Sequence, residues 1–306
     1  MRRLSELCNL PTWQVVNDAT IYSFGFVESA LNNRLIFAES RETLALALKA
    51  DGVSAVLTKP EFASAVMASG RGLLVAEQPR RLFVDAHNWI ATNTDFYGAP
   101  APTLIDPLAN VAASAHVDSV GVVIGPGSRI EARAVILQGT EIGANVVVQP
   151  GAVLGGAGFQ CMRFADAVID CIHVGKLRIG DRCVVMANAV VAKAVFRQHT
   201  IIGADSRVGN NAFVSHNCQI GTRCLIGHGA VVAGNCVIGD RVTVGPGAVC
   251  ADRIVIGDGA TITMGAVVTT HVAGETRVTG NFAVLHEQFK NIMKTAMDEH
   301  DTRGKL

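Results

Sequence analysis

The sequence predicts a left-handed parallel β-helix, with a small α/β domain in front of it and a short helix behind. Three observations carry this reading. One is a six-residue repeat. The second is a glycine-rich, aromatic-poor composition, with 31 glycines and 5% aromatic residues. The third is the length of 306 residues, about twice that of an ordinary domain.

From Ile202 to Ala273 the chain divides into twelve hexads without a slip. Their first position is Ile or Val in eleven of the twelve, Cys250 being the exception, and their second is Gly in seven. An earlier run starts at Ile124 and continues through Ile130, Ile136, Ile142, Val148 and Leu154, and a short one has Ile179, Val185 and Val191. Val111 and Val117 lead in, with one residue slipped before Ile124. A helix would space its apolar residues by three and four, and a half-buried strand by two. A strict six with glycine after the aliphatic residue marks a hexapeptide β-helix. Each hexad is then one short strand and a corner. Position one points into a triangular prism, and the small residue at position five fills the space beside the corner. Glycine tolerates the positive φ or close approach a corner needs. Three hexads close one coil, so residues 18 apart stack one strand spacing, ~4.8 Å, along the axis.

A narrow prism has little room for large rings, which accounts for the scarce aromatics. It also accounts for most of the eight cysteines. Cys183, Cys218, Cys224 and Cys236 fall at position five and Cys250 at position one, as small core filler. No Cys-x-x-Cys pair points to a disulfide or zinc framework. Cys161 and Cys171 lie between runs.

Residues 1–100 lack the hexad and alternate strand with helix. Strands are expected at 33–37, 53–57 and 72–76, and helices at 42–49, 60–67 and 80–90, the second with proline in its first turn. Pro100, Pro102 and Pro107 mark a linker. The β-helix follows over 104–275, interrupted by an excursion at 158–178 that carries Phe159, Met162, Phe164 and His173. A long loop on a repeat scaffold is commonly functional, and its apolar content suits a lid or binding loop. The tail, 281–306, has near-helical apolar spacing. Its Lys290, Lys294, Arg303 and Lys305 form either a solvated face or a dock for an acidic carrier protein.

Net charge is zero, with 26 basic and 26 acidic residues, so nothing draws the chain as a whole to nucleic acid. No apolar run is long enough to span a membrane, and the first residues form no secretory signal. A cytoplasmic protein is expected.

Histidines 216, 228 and 271 lie within the repeat. His216 and His228 both occupy position three, near a corner and expected to face outward. Twelve residues apart, they fall on different faces and cannot share a metal, and no metal site is expected. Parallel hexapeptide helices commonly move an acyl group from a pantetheine thioester to an amine or hydroxyl. The chemistry needs a neutral histidine as base, a backbone N–H for the oxyanion and a groove that orients the reactants. Gly234, 18 residues after His216, stacks one coil away.

At Val214-Ser-His-Asn-Cys-Gln-Ile-Gly221 the chain resembles the UDP-3-O-(3-hydroxyacyl)glucosamine N-acyltransferases of lipid A synthesis, which carry Ile-Ala-His-Asn before an aliphatic-Gly pair. The stretches Leu35–Phe37, Ser54–Leu57 and Leu73–Ala76 are similar to that family's uridine-binding domain, and Gly158-Phe159 to the start of its Gly-Phe-rich loop. The resemblance implies that His216 is the general base and Gly234 the oxyanion donor. It puts substrate contacts at Phe37 (stacking on uracil), Ser40, Phe159, His173, Asn211, Asn217, His199 and Lys193. The implied assembly is a homotrimer with sites between subunits. The implied donor is a 3-hydroxyacyl carrier protein, with acyl-coenzyme A as the other thioester co-substrate, and no bound cofactor. The chain departs from the family at several points. Gly209 replaces an aspartate that can orient the histidine, and Ala192-Lys193-Ala194 an Asp-Arg-Gly motif. Gln198 and His199 replace acids, Arg253 a second histidine, and Ser40 and Thr43 the uracil-side Asn and Tyr. The expected reaction is acyl transfer to a nucleotide-linked amino sugar, in lipid A or a related surface polysaccharide. Alternatives are short-chain N- or O-acyl transfer to an O-antigen sugar nucleotide, and a non-catalytic scaffold.

Overall fold

A computed structural model describes residues 1–7, 10 and 12–280 and, in the tail, 285–288, 290–291 and 294–295. Most of the helix expected at 281–306, and Cys8, lie outside the described residues.

The repeat region is a three-sided parallel β-helix. Its faces are sheets of eight, eight and nine strands, mostly two residues long. Val214 pairs with Val232, Val232 with Cys250, and Cys250 with Val268. These residues are all 18 apart, so three hexads make a coil. The interior is the column of position-one and position-five side chains, and Cys183, Cys218, Cys224, Cys236 and Cys250 are buried in it. At the start of the helix Ile130 pairs with Val111 and Ile136 with Val117, which are 19 apart and accommodate the single-residue slip.

Glycine does two separate jobs at the corners. From Ile202 onward the position-two glycines do not take positive φ; they allow close approach. A Cβ on Gly203 would lie 2.4 Å from the backbone of Gly221, one coil on. The left-handed residue is at position four, as at Asp205, Asn211, Asn217, Gly229, Asn235 and Gly247. Asn and Asp tolerate that region better than other side-chain-bearing residues do.

The α/β domain has a five-stranded sheet ordered Val15–Asn17, Gly72–Val75, Val53–Thr58, Arg34–Ala38, Ser23–Phe24. The first pairing is antiparallel and the rest are parallel. Its helices are α1 (Arg41–Lys49), α2 (Ala63–Ala68) and α3 (Pro79–Asn93), with a short 3₁₀ turn at Pro60–Phe62 leading into α2. Ser40 caps α1 in a capping box with Thr43, the local hydrogen bonding that starts a helix.

Two insertions interrupt the coils. Ile142 pairs with Ile179, which leaves room for the excursion, and Ile179 pairs with Ile202 rather than with a residue 18 on. The second insertion, around Lys193–Gln198, places fully buried Val195 and Phe196 against Phe26, Phe83 and His87 of the α/β domain. Arg197 adds contacts over the rings of Tyr22, Phe96 and Tyr97. The excursion forms a hairpin, Cys161–Arg163 with Val168–Asp170, that lies on α3. Arg80 Nη2 donates to the Arg163 carbonyl, Arg81 pairs with Asp166, and both guanidiniums stand over Phe164. Asn88 bonds the Asp170 carbonyl and the Ile172 N–H. The two insertions therefore join an apolar core of the α/β domain, apart from the interior of the prism.

The two kinds of corner glycine predict opposite outcomes. Gly203→Val should lower the unfolding free energy by roughly 1–3 kcal/mol through overpacking. Gly247→Asn should cost less, because nothing lies within 4 Å of a built Cβ and Asn already takes the same left-handed position at Asn217 and Asn235. Chemical denaturation of the two variants measures the difference.

Candidate active site

His216 stands at the corner after the strand Phe213–Val214, at position three. It does not face outward as the position suggests: the residue is 3% exposed. Two glycines make the slot for its ring. A Cβ on Gly234 would meet Nε2 at 2.6 Å, and a Cβ on Gly158 would meet Nδ1 at 2.7 Å. Gly234 stacks on it because coils repeat every 18 residues; Asn235 N–H donates to the His216 carbonyl at 2.9 Å. Gly158 arrives from the excursion, which explains why the periodicity alone could not foresee the burial.

Nδ1 lies 3.1 Å from Ser215 Oγ, and Nε2 is buried with no hydrogen-bond partner. The Gly234 N–H likewise has no acceptor among the described residues. Buried polar atoms are nearly always paired, so an orphaned imidazole nitrogen beside a free N–H is the strongest local sign of a ligand position. Burial, followed by the neighbouring His173, holds the His216 pKa down at about 4, with Asp252 pulling it up and Arg253 down. The imidazole is neutral at pH 7.

His173 meets the His216 ring edge to face, with centroids 5.6 Å apart. Its own nitrogens are committed. Nδ1 lies 2.9 Å from the Cys171 carbonyl, which can only accept, so Nδ1 carries the proton; Nε2 accepts from Gly158 N–H at 3.0 Å. His173 therefore pins Gly158 over His216 and has no lone pair left for a substrate in this arrangement. His87 on α3 holds the same strand, with Nε2 donating to the Ile172 carbonyl and Nδ1 accepting from Tyr97.

Lys193 and His173 share a groove of about 440 Å³, also lined by Asp118, Leu137, Gln138, Gly155–Ala157 and Asp170–Ile172. Lys193 Nζ donates to the Gln138 carbonyl, and burial lowers its pKa.

The other expected contacts divide. Asn217 sits at the His216 corner, but as a structural bridge. Its φ is +61°, Oδ1 accepts from Val195 N–H, and Nδ2 donates to Asn235 Oδ1. Asn211 is an exposed left-handed residue one corner earlier. His199 lies on a different face, in the strand His199–Ile202, with burial and Arg178 lowering its pKa. Phe159 is largely exposed. Phe37 and Ser40 are in the α/β domain, where Phe37 packs on Phe83 and Ser40 is the α1 cap. A second cavity, of about 480 Å³, lies in that domain between Gln14, Val75–Gln78, Arg81 and Asp85. Gly209 is a close-approach corner, packed on the backbone of Gly227 and His228.

Sequence reasoning did not single out Ser215 or Asp252 as site residues. The 18-residue offset is the signal for Asp252: position three of three successive coils reads His216, Gly234, Asp252. No group of three or more His, Cys, Asp or Glu residues able to hold a metal occurs among the described residues. No helix among them is long and apolar enough to cross a membrane.

Comparison with known proteins agrees with the repeat. The bacterial transferase hexapeptide (six repeats) profile matches residues 121–156, 199–234 and 224–252. The chain is similar to UDP-3-O-acylglucosamine N-acyltransferases. That of Xanthomonas oryzae is 32% identical over 97 residues, covering 32% of this chain and 28% of the relative. That of Caulobacter vibrioides is 38% identical over 96 residues, covering 31% and 28%. The chain thus spans just over a quarter of the length of these relatives in the matched region. Among solved structures, a UDP-N-acetylglucosamine acyltransferase from Campylobacter jejuni aligns at TM-score 0.49 and 20% identity, over 58% of this chain and 70% of that one. The chain is a left-handed parallel β-helix built on the hexapeptide repeat, and over about a third of its length it is similar to these N-acyltransferases.

Neutral burial of imidazoles links the site to pH. His216 and His87 are both depressed to about 4 by burial. The unfolded chain takes up their protons near the ordinary histidine value of about 6.5, before the folded chain does. Their contribution is present above that value and is lost as pH falls toward 4. The melting temperature should drop between pH 7 and pH 5, and His216→Gln should flatten part of that slope in a thermal-shift titration.

Proposed function

We propose that this chain is an N-acyltransferase. It moves an acyl group, a 3-hydroxyacyl group in our reading, from a pantetheine thioester to the amine of a nucleotide-linked amino sugar. The observation that carries this is the buried, partnerless His216 Nε2 beside the unpaired Gly234 N–H. That pairing supplies a proton acceptor and an oxyanion donor on adjacent coils, and the reaction needs little else from the protein.

In this reading the acceptor nitrogen attacks the thioester carbonyl carbon. A C–N bond forms, the carbonyl electron pair moves to oxygen, and the Gly234 N–H receives the oxyanion. The proton lost by nitrogen passes to Nε2. Collapse expels the thiolate, which takes that proton from the imidazolium, leaving amide and free thiol. Gly234 has no side chain, so the thioester approaches its N–H closely. Ser215 Oγ orients the ring through Nδ1, the position for which Gly209 offers no carboxylate. The groove at Lys193 and His173 takes the acceptor or the acyl group.

The donor is an acyl carrier protein or acyl-coenzyme A, and the active assembly is a homotrimer. Outward-facing Leu225, Val237, Val249, Val255 and Val267 are exposed in the single chain and lie on all three faces. The pathway is that of lipid A or a related surface polysaccharide. The uridine moiety belongs to the α/β domain, with Phe37 against the base.

Mass spectrometry of products from a panel of nucleotide amino sugars, acyl-coenzyme A chain lengths and acyl carrier protein tests the reaction. His216→Gln, which keeps most of the buried volume, should reduce turnover by about 10²–10⁴-fold. Gly234→Val should abolish it, since its Cβ collides with Nε2. Full activity in His216→Gln rejects the base, and normal activity in Gly234→Val rejects the oxyanion role.

A further inference from the structure

Asp252 has no part in the reaction as written above. It occupies position three two coils beyond His216, and only Gly234 separates them. A Cβ built on Gly234 would lie 2.6 Å from His216 Nε2 and 3.0 Å from Asp252 Oδ1. Imidazole and carboxylate therefore face each other across a residue without a side chain. The carboxylate is held from both sides. Asn235 Nδ2 donates to Oδ1 at 3.2 Å, and Arg253 Nη1 lies 3.3 Å from Oδ2. Asn235 is itself fixed by Asn217, whose Oδ1 takes the Val195 N–H. A ladder of side-chain amides thus aims this carboxylate. His216 is 97% buried and its Nε2 is unpaired, whereas the Asp252 side chain is 44% exposed.

We propose that the space over Gly234, between His216 Nε2 and the Asp252 carboxylate, holds the nucleophilic nitrogen of the acceptor, and that Asp252 selects an amine there over a hydroxyl. The inference rests on the acyl-transfer reading and deepens it. A primary amine has two N–H bonds. One points to Nε2 and delivers its proton there; the other is accepted by Asp252, which when ionised can only accept. A hydroxyl has one hydrogen. Once that hydrogen is given to Nε2, its lone pairs face the carboxylate, which is repulsive, and selectivity arises from that repulsion as much as from the amine's extra bond. As nitrogen attacks, positive charge grows on it and then on the imidazolium. Asp252 faces both, offsetting the low basicity that burial gives His216. The other groups facing the imidazole are His173 from the excursion and Arg253 beside Asp252, and both oppose its protonation.

The test uses the full chain, wild type and Asp252→Asn, with UDP-glucosamine and UDP-glucose as probes that differ in N against O at one carbon. Acyl-coenzyme A and acyl carrier protein serve as donors. The substitution should lower kcat/KM for the amine by about tenfold or more, the scale of one charge-assisted hydrogen bond. Turnover of UDP-glucose should fall by less, so that the preference for the amine over the hydroxyl narrows. NMR titration of histidine-labelled protein should show the His216 midpoint lower in Asp252→Asn than in wild type, a shift that loss of a merely structural side chain would not give. An unchanged amine preference in an active enzyme overturns the proposal, as does an unchanged His216 midpoint. Full transfer by His216→Gln removes the base and the proposal with it, whereas no transfer by the wild type from either donor to UDP-glucosamine overturns the acyl-transfer reading itself, so the two failures read differently.

Discussion

The contact on which the rest depends is backbone against backbone at position two. Where Gly203 meets Gly221, or Gly227 meets Gly245, successive coils approach until a methyl group would no longer fit. That approach keeps the coils in register and turns every hexad position into a column. The interior columns are aliphatic and thiol. The position-three column at one corner reads imidazole, hydrogen, carboxylate. No loop has to fold back to bring these groups together. A β-helix delivers them by counting, with a backbone N–H at each step, as in the bond from Asn235 to the His216 carbonyl.

Counting does not close the site, however. The slot around His216 is completed by the excursion, and the excursion is held by a helix of the other domain. His87 and Asn88 of α3 grip Ile172, His173 grips Gly158, and Gly158 covers the imidazole. The chain of contacts is short, and both histidines that anchor it, His87 and His173, are buried. It ties the α/β domain to the chemistry more directly than two domains joined by a proline-marked linker would suggest.

This division also explains what was legible. Periodicity gave the strands from Ile202 onward and the burial of five cysteines, because each depends on one residue and its offset. It gave the strand at Val53–Thr58 and the helix at Pro79–Asn93, where local patterns and packing agree. It also gave the adjacency of His216 and Gly234. It could not give the burial of His216, which depends on a segment that breaks the period, nor the docking of Phe196, since the insertion at 193–198 has no period of its own to place it. Periodicity named both roles of a corner glycine but did not separate them: close approach falls at position two from Ile202 onward, and the left-handed residue at position four, as at Asn217 and Asn235. The family resemblance made Asn217 a substrate contact. Its amide is instead consumed by Val195 and Asn235.

The two insertions also set where the molecule can change length. Both leave the prism before Ile202, and both end on the α/β domain through Phe196, Arg197, Met162 and Cys171. Coils on that side are locked in number, since removing one would tear a buried ring from its socket. Beyond Asp252, among the described residues, each strand bonds to the coil before it, as Val255 does to Val237 and Val267 to Val249. A whole turn there can be gained or lost without disturbing the site. The protein thus has a fixed end and an extensible one, and in any lineage of such chains length should vary in multiples of 18 at the second end alone.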